Sequence, residues 1–325
     1  MMVHDWRLLS AGQAAALHNA EGARWLSRLH WDTRSSLERV ESARHSGTLP
    51  GVAAIDEGGA VRGWTFFLVH DTVLQIGAFA ADSRQVTSAL LDAVAKSTEA
   101  ASASAAIVFA FTEAPELSEE LRRRGFDVER YRYLQKELDA PRQLPAIAVD
   151  DRRTVAAWRP SYRESVAVLL RRAYPTEDAA RPFARGGAPE AWLEYVTQLI
   201  LTRACGTFWP EASRVIAGAR PSELEAVALM TRLTEDAAHL AQIAVSPTAR
   251  GLGLAKQLLG ASLRAAHDGG CRYATLLVSE RNAAAKQLYA AMGFEEVASF
   301  VSAACDEPRR FGIAGRDASG AITLQ

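Results

Sequence analysis

The sequence predicts an α/β chain, a mixed α+β sheet flanked by helices, built twice in tandem. Three observations carry this. Residues 239–270 read as a strand, a glycine-bearing loop and a helix. Strands and helices alternate in one order on both sides of a proline-bearing stretch at 140–149. Two landmarks recur at nearly one spacing: Gln75-Ile76 with Gln242-Ile243 (243 − 76 = 167) and Gly125-Phe126 with Gly293-Phe294 (293 − 125 = 168). The expected division is a first domain at 1–139, a linker at 140–149 and a second domain at 150–325.

Each element has a local reason. Residues 11–45 are polar and alanine-rich, with Trp25, Leu26, Leu29 and Leu37 at helical spacing, so two short helices are expected. Residues 51–55 and 61–69 flank the turn Glu57-Gly58-Gly59 and read as a hairpin. A strand at 72–80, a helix at 86–95, a strand at 106–111 and a helix at 115–124 follow, and 128–138 alternates like a closing strand. Pro141 and Pro145 discourage both helix and central strand, which marks the linker. The second half opens with a strand near 154–158. Ser161 is placed to N-cap a helix to Arg172, and Pro189 to start another reaching Thr202. Strands at 214–217 and 226–233 precede the one at His239, and 297–303 reads as the last.

Composition narrows the function. Hydrophobic residues are 49% and charged residues 23% of the 325, an ordinary globular balance. Lys plus Arg number 37 against 38 Asp plus Glu, so nothing favours a nucleic acid or an anionic membrane as partner. The most apolar run, 64–81, is broken by His70-Asp71 and is no membrane span. Three scattered cysteines argue against a disulfide framework or a metal site, and with no signal-peptide pattern at the N-terminus they point to the cytoplasm.

The stretch at 239–255 suggests the chemistry. Ser246-Pro247 ends the strand, because proline cannot donate to a ladder. Then come Arg250, Gly251, Leu252, Gly253, Leu254 and Ala255, and a helix. The first turn of a helix leaves backbone N–H groups unpaired at the positive end of its dipole. Glycines let a diphosphate approach those groups, and Arg250 can add charge. A P-loop is excluded, since Gly253 is followed by Leu254-Ala255 rather than Lys-Ser/Thr. A dinucleotide-binding unit is also excluded: the acid about 20 residues on, Asp268, falls at a helix end.

Arg250, Gly253 and Ala255 fill the Arg/Gln-x-x-Gly-x-Gly/Ala signature, and the stretch resembles the GNAT superfamily of N-acetyltransferases. A second motif lies downstream. Asn282, Ala285, Leu288, Tyr289, Gly293 and Phe294 are similar to that family's Asn-x-x-Ala-x-x-Leu-Tyr-x-x-x-Gly-Phe helix at every position. The resemblance implies two GNAT-like domains, each a mostly antiparallel mixed sheet flanked by helices. It implies acetyl-CoA as co-substrate, no metal, and an amine acceptor that is a small molecule or peptide, with the protein a monomer or homodimer.

The resemblance also implies site residues. Backbone N–H groups at Ile243, Ala244 and Val245 are expected to face the thioester. Residues 250–255 would hold the diphosphate, and Asn282 and Ala285 would meet the pantetheine arm. Tyr289 is the candidate general acid for the leaving thiolate. His239, similar to a strand histidine of arylalkylamine N-acetyltransferases whose second histidine is replaced here by Ala241, is the candidate base. Glu223, Glu225 and Asp236 are rivals. The competing structural readings, which the full motif disfavours for Tyr289, are Tyr289 as a core aromatic and Asn282 as a helix cap. The helices at 161–172 and 189–202 would form the acceptor-facing wall, with Trp192, Tyr195 and Trp209 as candidates on it. In the first copy Asp82-Ser83-Arg84-Gln85 replaces the glycine loop, so no acetyl-CoA is expected there. The competing functions are a non-catalytic acetyl-CoA sensor and a structural partner protein.

Overall fold

The computed structural model describes residues 1–112, 114, 116–138, 153–176, 183–184, 186–202, 205–218, 220 and 223–306. The expected linker at 140–149 and the tail past 306 lie outside the described residues. In the first half, β1 (Met2–Asp5) leads to α1 (Ala11–Leu29) and α2 (Arg34–His45). Then come β2 (Gly51–Ile55), β3 (Val61–His70), β4 (Val73–Ala81), α3 (Arg84–Ala95), α4 (Thr98–Ser102), β5 (Ala105–Phe111), α5 (Leu117–Arg123) and β6 (Asp127–Glu137). The second half has β7 (Val155–Ala157), α6 (Arg163–Ala173), α7 (Pro189–Leu201), β8 (Thr207–Phe208), β9 (Arg214–Ala217), β10 (Leu224–Arg232) and β11 (Ala237–Val245). It ends with α8 (Leu254–Asp268), β12 (Tyr273–Ser279), α9 (Ala283–Ala291) and β13 (Glu295–Cys305).

Local chemistry accounts for the helix starts. Ser10 and Gln13 form a reciprocal capping box on α1, and Ser83 caps α3. α1 runs 19 residues rather than forming a short helix. Ser161 does not cap α6. The expected start at 161 is instead a 3-10 turn over Pro160–Tyr162, and the helix begins at Arg163 without a side-chain cap.

All the described strands join one mixed sheet, ordered β1-β2-β3-β4-β5-β13-β6-β12-β11-β10-β9-β7, with β8 on β10. Only β4–β5 and β11–β12 pair in parallel. Period-2 alternation sets the layers. In β10, Ala226, Ala228 and Met230 pack with α8, while Val227 and Leu229 pack with α6 and α7 on the opposite face. The first half is layered alike: Ala54 faces the α3 side and Ala53 the side of α1 and α2.

The last strands are exchanged. β13 lies between β5 and β6, and β6 lies between β13 and β12. The alternating stretch expected to close the first half thus pairs with the second half from Tyr273–Glu137 to Ser279–Tyr131. It is kept from β5 by β13, which pairs with β5 from Phe300–Phe111 to Cys305–Ala106. An aromatic core covers this seam. Leu29, Phe111, Tyr133 and Phe300 are buried together, and the Tyr133 hydroxyl donates to the Leu29 carbonyl at 2.8 Å. Burying such side chains stabilises by about 1.5–3 kcal/mol each.

The duplication is visible in order and spacing. β13 starts 168 residues after β6 (295 − 127 = 168), as Gly293 follows Gly125. One landmark is corrected. β11 follows β4 by 164 residues (237 − 73 = 164), so Gln242-Ile243 and Gln75-Ile76 are not equivalent positions; the structural counterpart of Gln75 is His239.

Candidate functional site

The site begins where two parallel strands part. β11 pairs with β12 only from Ala237–Tyr273 to Leu240–Leu276. β11 then continues to Val245 and β12 to Ser279 without touching, leaving a slot. The cause is on the other edge of β11. Leu229 pairs with Gln242 but Met230 with Leu240, so Ala241 is an extra, bulged residue. A bulge bends its strand and strengthens the local twist.

Ladder geometry decides which main-chain groups face the slot. Ser246 N–H donates to Glu225 O at 2.7 Å, so Ala244 and Gln242 are the residues that exchange bonds with β10. Ile243 and Val245 therefore turn their N–H groups to the slot. Ala244, expected to do the same, turns its own back to β10; alternation forbids three consecutive donors on one edge.

The loop closes the slot at one end. Gly251 and Gly253 have φ of 81° and 75°, left-handed values that favour glycine, with open space where a Cβ would point. Gly253 is the N-cap of α8 and offers no side-chain cap. Among the described residues, no backbone acceptor pairs with the N–H groups of Gly251, Leu252, Gly253, Leu254 or Ala255. The Leu254 side chain is in the core, while that of Leu252 is half exposed. Arg250, expected to add charge for an anion, donates Nη2 to Ala173 O at the end of α6, 2.9 Å away. A cation there is favoured by the helix dipole.

Tyr289 and Leu254 are buried in the same apolar core, and Ile243, Val245 and Ala285 are partly buried against it. Tyr289 is 4% exposed and packs edge-on to Phe294. Burial pushes its ionisation far above the usual tyrosine value, and nearby Tyr174 adds to this, so the phenol keeps its proton. Asn282 caps α9: its Oδ1 accepts from the Ala285 N–H at 3.1 Å. Ala285 N–H is thereby used, and only Nδ2 of Asn282 is left to face a ligand. His239 sits one residue before the strands part. It is 3% exposed, its Nδ1 is 2.9 Å from Thr275 Oγ1, and its ring lies against Trp31 and Tyr133. Burial pulls its pKa down to about 4.

The rival carboxylates Glu225 and Glu223 are ion-paired to Arg153 and Arg172. Trp192 is fully buried core. Trp209 carries the Arg232 guanidinium 3.9 Å above its ring, and Arg232 in turn binds the carbonyl of Gly269, at the far end of α8 from the loop.

Two residues not singled out for chemistry stand in the slot. The Tyr174 hydroxyl donates to Gln242 Oε1 at 3.3 Å, and Gln242 is 6% exposed. Nothing in the pattern around a tyrosine at a helix end marks it beforehand. Tyr174 also lines a groove of about 670 Å³ with Arg171, Thr176, Pro189 and Leu193, between α6 and α7.

The first half has the same parting of strands, with β4 and β5 paired only from Val73–Ala105 to Ile76–Val108. There the space is used internally. Thr112 Oγ1 donates to Phe79 O at 2.6 Å, Ser83 caps α3, and Asp82 pairs with Arg62. Among the described residues no three His, Cys, Asp or Glu side chains gather as a metal site, and no helix is long and apolar enough to cross a membrane.

Residues 166–294 match the family model of the Acetyltransferase (GNAT) family. No curated protein matches the chain. Among solved structures, a GCN5-related N-acetyltransferase from Sphaerobacter thermophilus superposes with a TM-score of 0.60 at 15% identity, over 94% of this chain and 95% of that one. A tandem GNAT protein from the clavulanic acid biosynthesis pathway gives 0.54 at 17% identity, over 79% and 82%. At these identities the likeness is one of fold. The parted strands, the glycine loop and the tyrosine helix all fall inside the segment that matches the GNAT acetyltransferase model, and the chain as a whole has the mixed sheet of GNAT-fold proteins.

Proposed function

We propose that the second half, 150–325, binds acetyl-CoA in the slot and transfers the acetyl group directly to a primary amine of a small molecule or peptide, while the first half, 1–139, binds none. The observation that carries this is the combination at one end of the slot: N–H groups at 251–255 with no backbone acceptor among the described residues, and open space at the Cβ positions of Gly251 and Gly253, beside two strands that have parted. These features fit a diphosphate followed by an extended arm. Gly251 to Ala255 would hold the diphosphate, with Arg250 fixing the loop against α6. Val245 would pair with the arm as an edge strand would, the Ile243 N–H is left for the thioester carbonyl, and Asn282 Nδ2 could donate to the arm's amides.

Bound acetyl-CoA supplies the thioester. The amine enters from the α6–α7 groove, and its nitrogen lone pair forms a bond to the carbonyl carbon as the C=O pair moves onto oxygen. Main-chain N–H groups of the slot stabilise that oxygen. The C=O bond then re-forms, the C–S bond breaks, and the Tyr289 hydroxyl gives its proton to the sulfur. His239, its basicity weakened by burial to a pKa of about 4, would take the amine's proton only once the nitrogen has bonded to the carbonyl carbon, when that proton is far more acidic.

The test is a panel of amines assayed for free thiol from acetyl-CoA, beside thermal unfolding with CoA. An acceptor-dependent release of thiol supports the enzyme. A thermal shift with no turnover for any amine leaves a sensor, and no shift with CoA refutes the slot altogether.

A further inference from the structure

Ile243 is unusual in β11 in what its N–H finds. That group points away from β10, to the side β12 has left, and donates to Oε1 of the preceding side chain, Gln242, at 3.2 Å. The same oxygen accepts from the Tyr174 hydroxyl at 3.3 Å. A main-chain N–H can only donate, so the carboxamide orientation is fixed with Oε1 toward Ile243. Its Nε2 is then buried without a partner among the described residues. Buried amide nitrogens are rarely left so, and one in a native site calls for a reason.

The reason lies in what Oε1 imitates. It is a carbonyl oxygen held between a main-chain N–H and a hydroxyl, the donor pair that would receive a carbonyl oxygen gaining negative charge. We propose that the Tyr174 hydroxyl is a second oxyanion donor beside the expected Ile243 N–H, and that the Gln242 carboxamide oxygen fills their site until a thioester carbonyl displaces it. The assignment rests on the acetyl-CoA slot proposed above.

Three features support Tyr174 in this role. Its ring is stacked on buried Trp192, 5.6 Å between centroids and 20° between planes, which fixes the hydroxyl. Burial pushes its pKa up to about 12, so the proton is there to donate. Arg250 binds the carbonyl of the residue before it, so the glycine loop and the hydroxyl are joined by one guanidinium. Both bonds to Oε1 are long for neutral hydrogen bonds, so the carboxamide is readily replaced. As the amine nitrogen bonds to carbon, the C=O pair settles on the oxygen held by the two donors. As the C–S bond breaks, the pair returns and the sulfur takes its proton from Tyr289.

The experiment compares wild type, Gln242→Ala and Tyr174→Phe. Calorimetry gives dissociation constants for CoA and for acetonyl-dethio-CoA, a ketone in which CH2 replaces the sulfur, so that the carbonyl keeps its place and cannot transfer; turnover is measured with an active amine. Gln242→Ala should tighten the ketone about fivefold relative to CoA, which has no carbonyl to seat. Tyr174→Phe should bind CoA as wild type does, weaken the ketone several-fold, and lower kcat about 10- to 100-fold. A Tyr174→Phe kcat within threefold of wild type overturns the donor role. A tenfold loss of kcat in Gln242→Ala with an unchanged ketone-to-CoA ratio also overturns the proposal, since the carboxamide would then be a donor itself. If wild type binds neither ligand, the acetyl-CoA slot fails first and this assignment with it.

Discussion

Gly253→Ala separates the cost of a backbone conformation from the cost of lost binding. Gly253 has φ of 75°, and a Cβ there would meet nothing within 4 Å. The folded protein therefore loses only the left-handed penalty, about 1 kcal/mol, or about 2 °C in Tm for a chain of this size. The empty space is where the diphosphate is proposed to sit, against N–H groups that have no backbone acceptor among the described residues. A methyl group pushes the anion off one or two charge-assisted bonds, each worth about 1.5–3 kcal/mol, so CoA affinity should fall at least tenfold. Gly293→Ala is the control. Its φ of 79° carries a like penalty, and its Cβ would also have to displace Nζ of buried Lys136, 2.9 Å away, so it sets an upper bound on the folding cost. Calorimetric titration with CoA and thermal unfolding of both variants decide the matter. If Gly253→Ala melts like Gly293→Ala and also binds CoA like it, the loop holds no diphosphate.

Three more outcomes are expected. Tyr289→Phe should lower kcat about a hundredfold while CoA affinity stays within threefold, as a lost proton donor would; a joint loss of both would mark a packing role. His239 titrates near 4 when folded and at about 6.5 when unfolded. The unfolded chain thus takes up the proton first, so this stabilisation is whole above pH 6.5 and drains away as pH falls to 4. It amounts to about 3 kcal/mol, and denaturant titrations should show His239→Gln losing that much less than wild type over this range; equal losses would refute the assignment. Residues 1–138 expressed alone should not give a folded monomer by light scattering and exchange protection, because β13 is missing from between β5 and β6. A well-protected monomer would contradict the exchange.

The second half was legible where local chemistry decides structure. Arg250 to Ala255 and Asn282 to Phe294 lie at the strand and helix ends their patterns indicate, and Pro189 does start its helix. What was hidden depends on distant partners. The stretch at 128–138 alternates correctly, yet alternation says which face is buried and not which strand lies alongside. β6 and β13 are alike in length and pattern, so each could seal either half. Gln75 and Gln242 look matched because both precede isoleucine, but strand pairing aligns Gln75 with His239. Ser161 lost its cap to the proline before it, which tightened the chain into a 3-10 turn. Tyr174 acquires its partners only when α6 meets the bulged end of β11.

The reciprocal placement of β6 and β13 also imposes an order of events during synthesis. The first half leaves the ribosome with a gap in its sheet that only the last described strand can fill, 168 residues later (295 − 127 = 168). At translation rates of 5–20 residues per second, that is a wait of roughly 10–30 s with open strand edges, the state most prone to pair with the wrong neighbour. The aromatic seam of Leu29, Tyr133 and Phe300 can form only after that wait. Nascent copies of this chain should therefore lean on chaperones more than their finished stability suggests, and a gene split at the midpoint would yield two fragments that mature only in each other's company.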